Sequence, residues 1–203
     1  KGGDKVGIIG PNGSGKTTLL RKILENNDEQ LYCSPAMKIG YFAQNLDVLN
    51  EGKTILENVT EDAFQSETLI RIVLARLGFY QEDVYKEVKV LSGGERVKVS
   101  LAKLFVGDFN TLILDEPTNY LDVYALEALE SLLKEYTGTI LFVTHDRHFV
   151  GEISNKIRAI EEGELTAFTG SYSDFLNKDN SSTRDFLADE LARIDNALAD
   201  VLR

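Results

Sequence analysis

The sequence predicts an α/β domain built on a mainly parallel sheet, and three observations predict it. Residues 111–114 and Thr139–Val143 are unbroken apolar runs of strand length, the pattern of strands covered on both faces. Residues 126–136, between those runs, carry apolar side chains at helical spacing. Near the start, the apolar run Lys5–Ile9 enters a glycine-rich turn and leaves it as a helical stretch over 16–24.

The remaining elements follow in order. Residues 31–43 read as extended, with Tyr32, Ile39, Tyr41 and Phe42 among them. Over 66–77, Leu69, Ile72, Val73 and Leu77 recur at helical spacing, and Gly78 stands where a helix would stop. A further helix is expected over 97–105. Residues 157–160 and 165–168 flank Glu161-Glu162-Gly163-Glu164 and read as a hairpin. Residues from about 45 to 90 fit a helical lobe inserted into the sheet domain. Residues 177–182 are polar and turn-rich. Beyond them Leu187, Leu191, Ile194, Leu198 and Val201 form one apolar seam of an amphipathic helix, suited to its own domain or to a partner helix. The expected division is therefore a domain over 1–176, with a connector and terminal helix over 177–203.

Composition narrows the function classes. No stretch reaches the ~20 apolar residues that a membrane-spanning helix requires. Cys33 is the only cysteine, so the chain makes no internal disulfide, and a reducing cytoplasm is the expected setting. The net charge is −11, yet residues 1–60 hold seven basic and seven acidic side chains, so the excess lies after residue 60. An acidic surface of that kind repels a phosphate backbone, and this domain alone is not expected to grip nucleic acid.

Gly10-Pro11-Asn12-Gly13-Ser14-Gly15-Lys16-Thr17 satisfies G-x-x-x-x-G-K-[ST] between a strand and a helix, the context the pattern needs. Its glycines permit a backbone that turns successive N–H groups inward at a helix N-terminus, a nest for phosphate oxygens. Lys16 is placed to reach the outer phosphates and Thr17 to ligate Mg²⁺.

Leu112-Ile113-Leu114-Asp115-Glu116-Pro117 sets two carboxylates at the end of a buried strand, where open α/β sheets bind ligands. Asp115 suits a magnesium ion and Glu116 suits a general base acting on water. Pro117 ends the strand, since it has no N–H for the ladder.

Leu91-Ser92-Gly93-Gly94-Glu95 contains a capping box, Ser92 with Glu95, that opens a helix. Capping does not call for the two glycines, each costing about 1 kcal/mol relative to alanine in a helix interior. The pair is expected to serve close approach of a phosphate. Because the segment lies 48 residues after Gln44, that phosphate is expected to belong to a second copy of the domain.

Together these three segments resemble the ABC ATPase domain, a P-loop NTPase fold, with 91–95 similar to that family's signature sequence. Gln44, after Tyr41-Phe42-Ala43, resembles its glutamine loop; Asn119-Tyr120-Leu121-Asp122 its D-loop; Thr144-His145-Asp146 its switch histidine. The resemblance implies ATP and Mg²⁺ as ligands. It assigns ATP contacts to Asn12, Gly13, Ser14, Gly15, Lys16, Thr17 and Thr18. Ser92, Gly93, Gly94, Glu95 and Asp122 are implied to act in trans, from a paired domain. Thr17, Gln44 and Asp115 are implied to serve Mg²⁺, and Glu116, His145, Gln44 and Lys16 to serve hydrolysis. His148 has no such role and reads as a surface or packing residue.

Finer features resemble the F subfamily, ABC-F: 116–122 (Glu-Pro-Thr-Asn-Tyr-Leu-Asp), 144–149 (Thr-His-Asp-Arg-His-Phe) and 170–176 (Gly-Ser-Tyr-Ser-Asp-Phe-Leu). That implies a cytoplasmic protein with two ATPase domains in one chain, acting on the ribosome as a translation factor or in antibiotic resistance by target protection. The span from Gln44 to Ser92 has no room for the arm that a first ABC-F domain often carries, so the chain resembles a second, C-terminal one. The family stacks adenine on an aromatic residue in a strand before the phosphate loop. Residues 1–9 hold no aromatic, and an N-terminal β part is expected to be missing. The alternative reading is the ATP-binding subunit of an ABC membrane transporter.

Overall fold

A computed structural model describes residues 2–26, 31–43, 49–161, 164–168, 172 and 174–175. The described residues form six strands and six α-helices in the order β1 (Lys5–Ile9), α1 (Lys16–Glu25), β2 (Ile39–Phe42), α2 (Ile55–Thr60), α3 (Glu67–Arg76), α4 (Gly93–Val106), β3 (Thr111–Asp115), α5 (Val123–Glu135), β4 (Thr139–Val143), α6 (Arg147–Ile153), β5 (Lys156–Glu161) and β6 (Glu164–Phe168). The strands form one sheet in the order β2-β3-β4-β1-β5-β6. Every pairing is parallel except the β5–β6 hairpin at one edge. The fold class read from the sequence, a mainly parallel α/β sheet of the P-loop type, is the one observed.

The apolar runs behave as strands covered on both sides. All five residues of β3 are buried. Leu112 and Leu114 join the larger core with Phe142 and Phe149, while Ile113 joins the smaller core under α1, with Ile8, Leu20, Val143 and Ile160. Neighbouring residues on one strand thus serve opposite faces, as a period of two requires. Phe142 and Phe149 meet edge to face, ring centroids 5.5 Å apart, and pin α6 to the sheet.

Among the described residues between β2 and α4 the regular elements are helices and 3₁₀ turns. Thr54 caps α2 through a capping box: its Oγ1 accepts from Glu57 N–H at 3.2 Å, and Glu57 Oε2 accepts from Thr54 N–H at 2.8 Å. The sequence carries this signal as Thr54-Ile55-Leu56-Glu57, in a helix too short to show a period of its own. Two 3₁₀ turns, Gln81–Tyr85 and Val88–Val90, lead to α4.

One expectation is corrected. Of residues 31–43, only Ile39–Phe42 join the sheet. A turn closes over Ser34–Met37, where Met37 N–H donates to Ser34 O at 2.9 Å. Pro35 lies in that turn and supplies no ladder donor. Tyr32 is correspondingly 90% exposed, on no covered face.

The helix expected over 97–105 extends back to its cap at Ser92, as the capping box there predicts, and α5 starts before its expected first residue of 126 because its cap lies earlier. Ser92 and Asp122 accept from Glu95 N–H and Ala125 N–H, at 3.3 and 2.8 Å. The hairpin turn at 162–163 and the expected helix after residue 182 lie outside the described residues.

Candidate nucleotide site

Strands β3, β4 and β1 are adjacent and parallel, so the segments that leave their C-terminal ends emerge side by side. Asp115, Val143 and Ile8 form one row across the three strands. Just beyond that row come Glu116, Thr144 with His145, and the loop that begins at Gly10. This is the side of an open α/β sheet, beyond the carboxyl ends of its strands, where ligands bind.

The loop has the backbone its composition anticipates. Gly13 and Gly15 adopt φ of 79° and 96°, angles that L side chains resist. Gly10 is needed for closeness: a Cβ there would lie 2.8 Å from both Ile160 O and Ser14 Oγ. Lys16, only 8% exposed, turns its ammonium back onto its own loop and donates to Gly10 O and Pro11 O, each at 2.9 Å. No carboxylate pairs with it among the described residues. Among the described residues Ser14 Oγ, which is buried, has no hydrogen-bond partner. A buried cation satisfied only by carbonyl dipoles, an unanswered hydroxyl and a helix N-terminus together suit a polyanion. Asn12, Gly13 and Thr18 lie exposed around it.

Thr17 Oγ1 donates to Asp115 Oδ1 at 3.3 Å, joining the first turn of α1 to the end of β3. A hydroxyl and a carboxylate meeting beside a phosphate-type loop are the hard oxygen donors that Mg²⁺ takes. Asp115 is 2% exposed. Burial, and after it the Asp115 charge, push the Tyr41 phenol above its ordinary value of 10.0.

Glu116 departs from ordinary strand geometry. Its φ is 52°, in the left-handed region where a residue with a side chain is strained by about 1–3 kcal/mol. Its amide donates to Val143 O at 2.9 Å, tying the turn to β4. Its side chain then faces the switch segment. His145 Nε2 lies 3.3 Å from Glu116 Oε1, and His145 N–H donates to Glu116 Oε2 at 3.3 Å. A carboxylate, an imidazole and a hydroxyl–carboxylate pair beside an anion nest can position a water, move its proton and stabilise charge on a phosphate.

The segment Ser92–Glu95 opens α4 with the expected capping box. Ser92 N–H and Ser92 Oγ donate to Glu95 Oε2 at 2.8 and 2.7 Å. These bonds from Ser92 hold the Glu95 carboxyl below its ordinary value. Among the described residues no hydrogen bond joins the segment to the loop at 10–17.

The two glycines of this segment differ in their surroundings. A Cβ at Gly94 would lie 2.8 Å from the Tyr120 carbonyl oxygen, so this glycine has a reason within its own chain. A Cβ at Gly93 would meet nothing within 4 Å. Asp122 caps α5 and pairs with Lys98 of α4 at 2.7 Å, fixing the 119–122 turn against α4. His148 is an exposed residue beside Glu130, at 3.5 Å. Gln44 lies outside the described residues, as does most of the 170–176 motif.

Comparison with known proteins decides the family. A profile described as ABC transporter matches residues 1–119, more than half of the chain. The chain belongs to that family. It is 39% identical over 183 residues to ABC transporter F family member 5 of Arabidopsis thaliana, covering 87% of this chain and 26% of that protein. It is 39% identical over 183 residues to the ATP-binding protein Uup of Escherichia coli (strain K12), covering 85% and 28%. It is 42% identical over 154 residues to the erythromycin resistance ATP-binding protein MsrA of Staphylococcus epidermidis, covering 76% and 31%. These similarities support an ABC-F nucleotide-binding domain that spans a third or less of these three relatives.

Among solved structures, the RNase-L inhibitor superposes with a TM-score of 0.72 at 29% identity, over 90% of this chain and 37% of that one. A metal-chelate type ABC transporter in an inward-facing conformation gives 0.65 at 24% identity, over 86% and 74%, a likeness of fold. The family is one of ATPases, which bind ATP typically with Mg²⁺. Among the described residues, no helix is long and apolar enough to cross a membrane.

Proposed function

We propose that this ABC-F domain binds Mg²⁺-ATP at the loop 10–17 and hydrolyses it as one of a facing pair of such domains. The observation that carries the reading is the convergence of Lys16, Thr17, Asp115, Glu116 and His145 beyond the C-terminal ends of adjacent strands, with the Lys16 ammonium and Ser14 hydroxyl lacking an anionic partner among the described residues.

On this reading Lys16 exchanges the carbonyls of Gly10 and Pro11 for the outer phosphates of the nucleotide. The loop amides from Asn12 to Thr18 surround the same phosphates. Thr17 and Asp115, with Gln44, would hold Mg²⁺, whose role is to neutralise charge on the phosphates and fix their geometry. Glu116 orients a water and takes its proton, while His145, now bonded to Glu116, turns to the γ-phosphate. Ser92, Gly93, Gly94, Glu95 and Asp122 of a second domain complete the site. Division of the site across an interface lets ATP close the pair and hydrolysis release it.

The parent protein, on the same reading, is cytoplasmic, carries this as its C-terminal ATPase domain and acts on the ribosome. The similarity to a relative named for erythromycin resistance supports a role in translation or in resistance by target protection. The test is Glu116→Gln in the parent protein. ATP binding is retained, steady-state turnover falls by at least ~100-fold, and ATP-dependent co-sedimentation with ribosomes increases. Unchanged turnover removes Glu116 from its role, and absence from ribosomes removes the ribosomal reading.

A further inference from the structure

Thr118 and Thr144 stand on different loops and share one hydrogen bond. Their Oγ1 atoms are 2.9 Å apart, three residues beyond the end of β3 and one beyond the end of β4. Thr144 is buried, at 5% exposure, and its Oγ1 also accepts from Asp146 N–H at 3.1 Å. Asp146 in turn caps α6, accepting from Phe149 N–H at 3.0 Å, and Phe149 is wholly buried against Phe142. A continuous set of contacts therefore runs from the core, through the cap of α6, to Thr144 and across to Thr118.

Thr118 sits two residues after Glu116, whose left-handed backbone persists only if its surroundings hold it there. The Glu116 amide bond to Val143 O anchors one side of that turn. The threonine pair anchors the other side. Glu116 carries the first anchor and His145 directly follows Thr144, which carries the second; the two side chains meet at 3.3 Å.

We propose that the Thr118–Thr144 hydroxyl pair is a clamp that positions the Glu116 carboxylate against His145, making both threonines positioning residues for hydrolysis. The inference rests on the role proposed above for Glu116. Its physical basis is that small displacements of a reacting group cost large factors in rate while leaving ground-state binding intact.

The test compares Thr118→Val, Thr118→Ser, Thr144→Val and the double valine variant in the full-length protein, beside wild type and Glu116→Gln. Valine keeps the shape and removes the hydroxyl; serine keeps the hydroxyl. Each valine variant is expected to lower kcat by about tenfold or more with KM for Mg²⁺-ATP within about twofold. Thr118→Ser is expected to stay within about twofold of wild type, and the double variant to be no slower than the slower single, because the Thr118–Thr144 bond is lost in all three, Thr144→Val losing in addition the acceptor of Asp146 N–H. Calorimetric ATP binding and the thermal midpoint separate a clamp from a fold defect. Loss of ATP binding along with kcat, equal slowing by serine and valine, or normal turnover of Thr118→Val overturns the clamp. The last result beside an inactive Glu116→Gln leaves the role of Glu116 standing, whereas a fully active Glu116→Gln removes both.

Discussion

Gly94 lies beneath the carbonyl of Tyr120, so close that a single added methyl would sit 2.8 Å from that oxygen. The first turn of α4 and the turn before α5 are thereby packed backbone to backbone, and the Lys98–Asp122 pair holds the same junction from the side.

This packing separates the two glycines. Gly94→Ala must push the Tyr120 backbone away, a strain of about 1–3 kcal/mol. Gly93 has open space and no left-handed φ. Gly93→Ala is therefore expected to leave stability unchanged or raise it by up to ~1 kcal/mol. If its small size serves a partner's phosphate, it lowers ATP turnover all the same. Chemical denaturation and steady-state ATPase assays of both variants check this. Equal destabilisation by the two would contradict the assignment.

Asp115→Asn keeps the shape of the Thr17 contact and removes the charge. ATP binding in chelator is expected to change little, while the gain in affinity on adding Mg²⁺ falls by at least ~10-fold. Nucleotide titrations with and without metal measure the difference. An undiminished metal effect would take Asp115 out of the magnesium site.

The Lys98–Asp122 pair makes a pH-dependent contribution. The bond from Lys98, and then the one from the Ala125 amide, hold the Asp122 carboxyl below its ordinary value of 3.8. A carboxyl lowered in the folded state stabilises the fold at pH values above its unfolded pKa. As the pH falls below about 4, the unfolded chain takes up the proton first and that contribution is lost. Asp122→Asn still caps α5 but cannot pair with Lys98. The variant is thus expected to be less stable than wild type at pH 7, by a gap in denaturant midpoint that narrows as the pH falls below about 4. A gap that does not narrow would contradict the assignment.

The parts of this fold that were legible in the sequence are those in which one residue type has one physical duty. The Leu112-Ile113-Leu114 run could only be a strand covered on both faces, and Gly13 with Gly15 announced a left-handed loop. Ser92 and Glu95 specified their own helix start. What escaped depends on strand order, which no local pattern states. Only the adjacency of β3 and β4 brings Thr118 to Thr144 and Glu116 to His145. Gly94 carried two explanations, and only the position of the Tyr120 carbonyl separates them. Residues 31–38 looked extended because they hold aromatic and apolar side chains, yet the turn at Pro35 keeps them out of the ladder.

The account depends most on the capture of a triphosphate by the loop around Lys16. Isothermal titration of the full-length protein with Mg²⁺-ATP, beside a form carrying Lys16→Ala in this domain, measures that capture directly. The expected result is saturable binding at this site that weakens by at least ~10-fold when the ammonium is removed, in keeping with the loss of charged hydrogen bonds to phosphate. Equal binding by both proteins, or none by either at millimolar nucleotide, would contradict it.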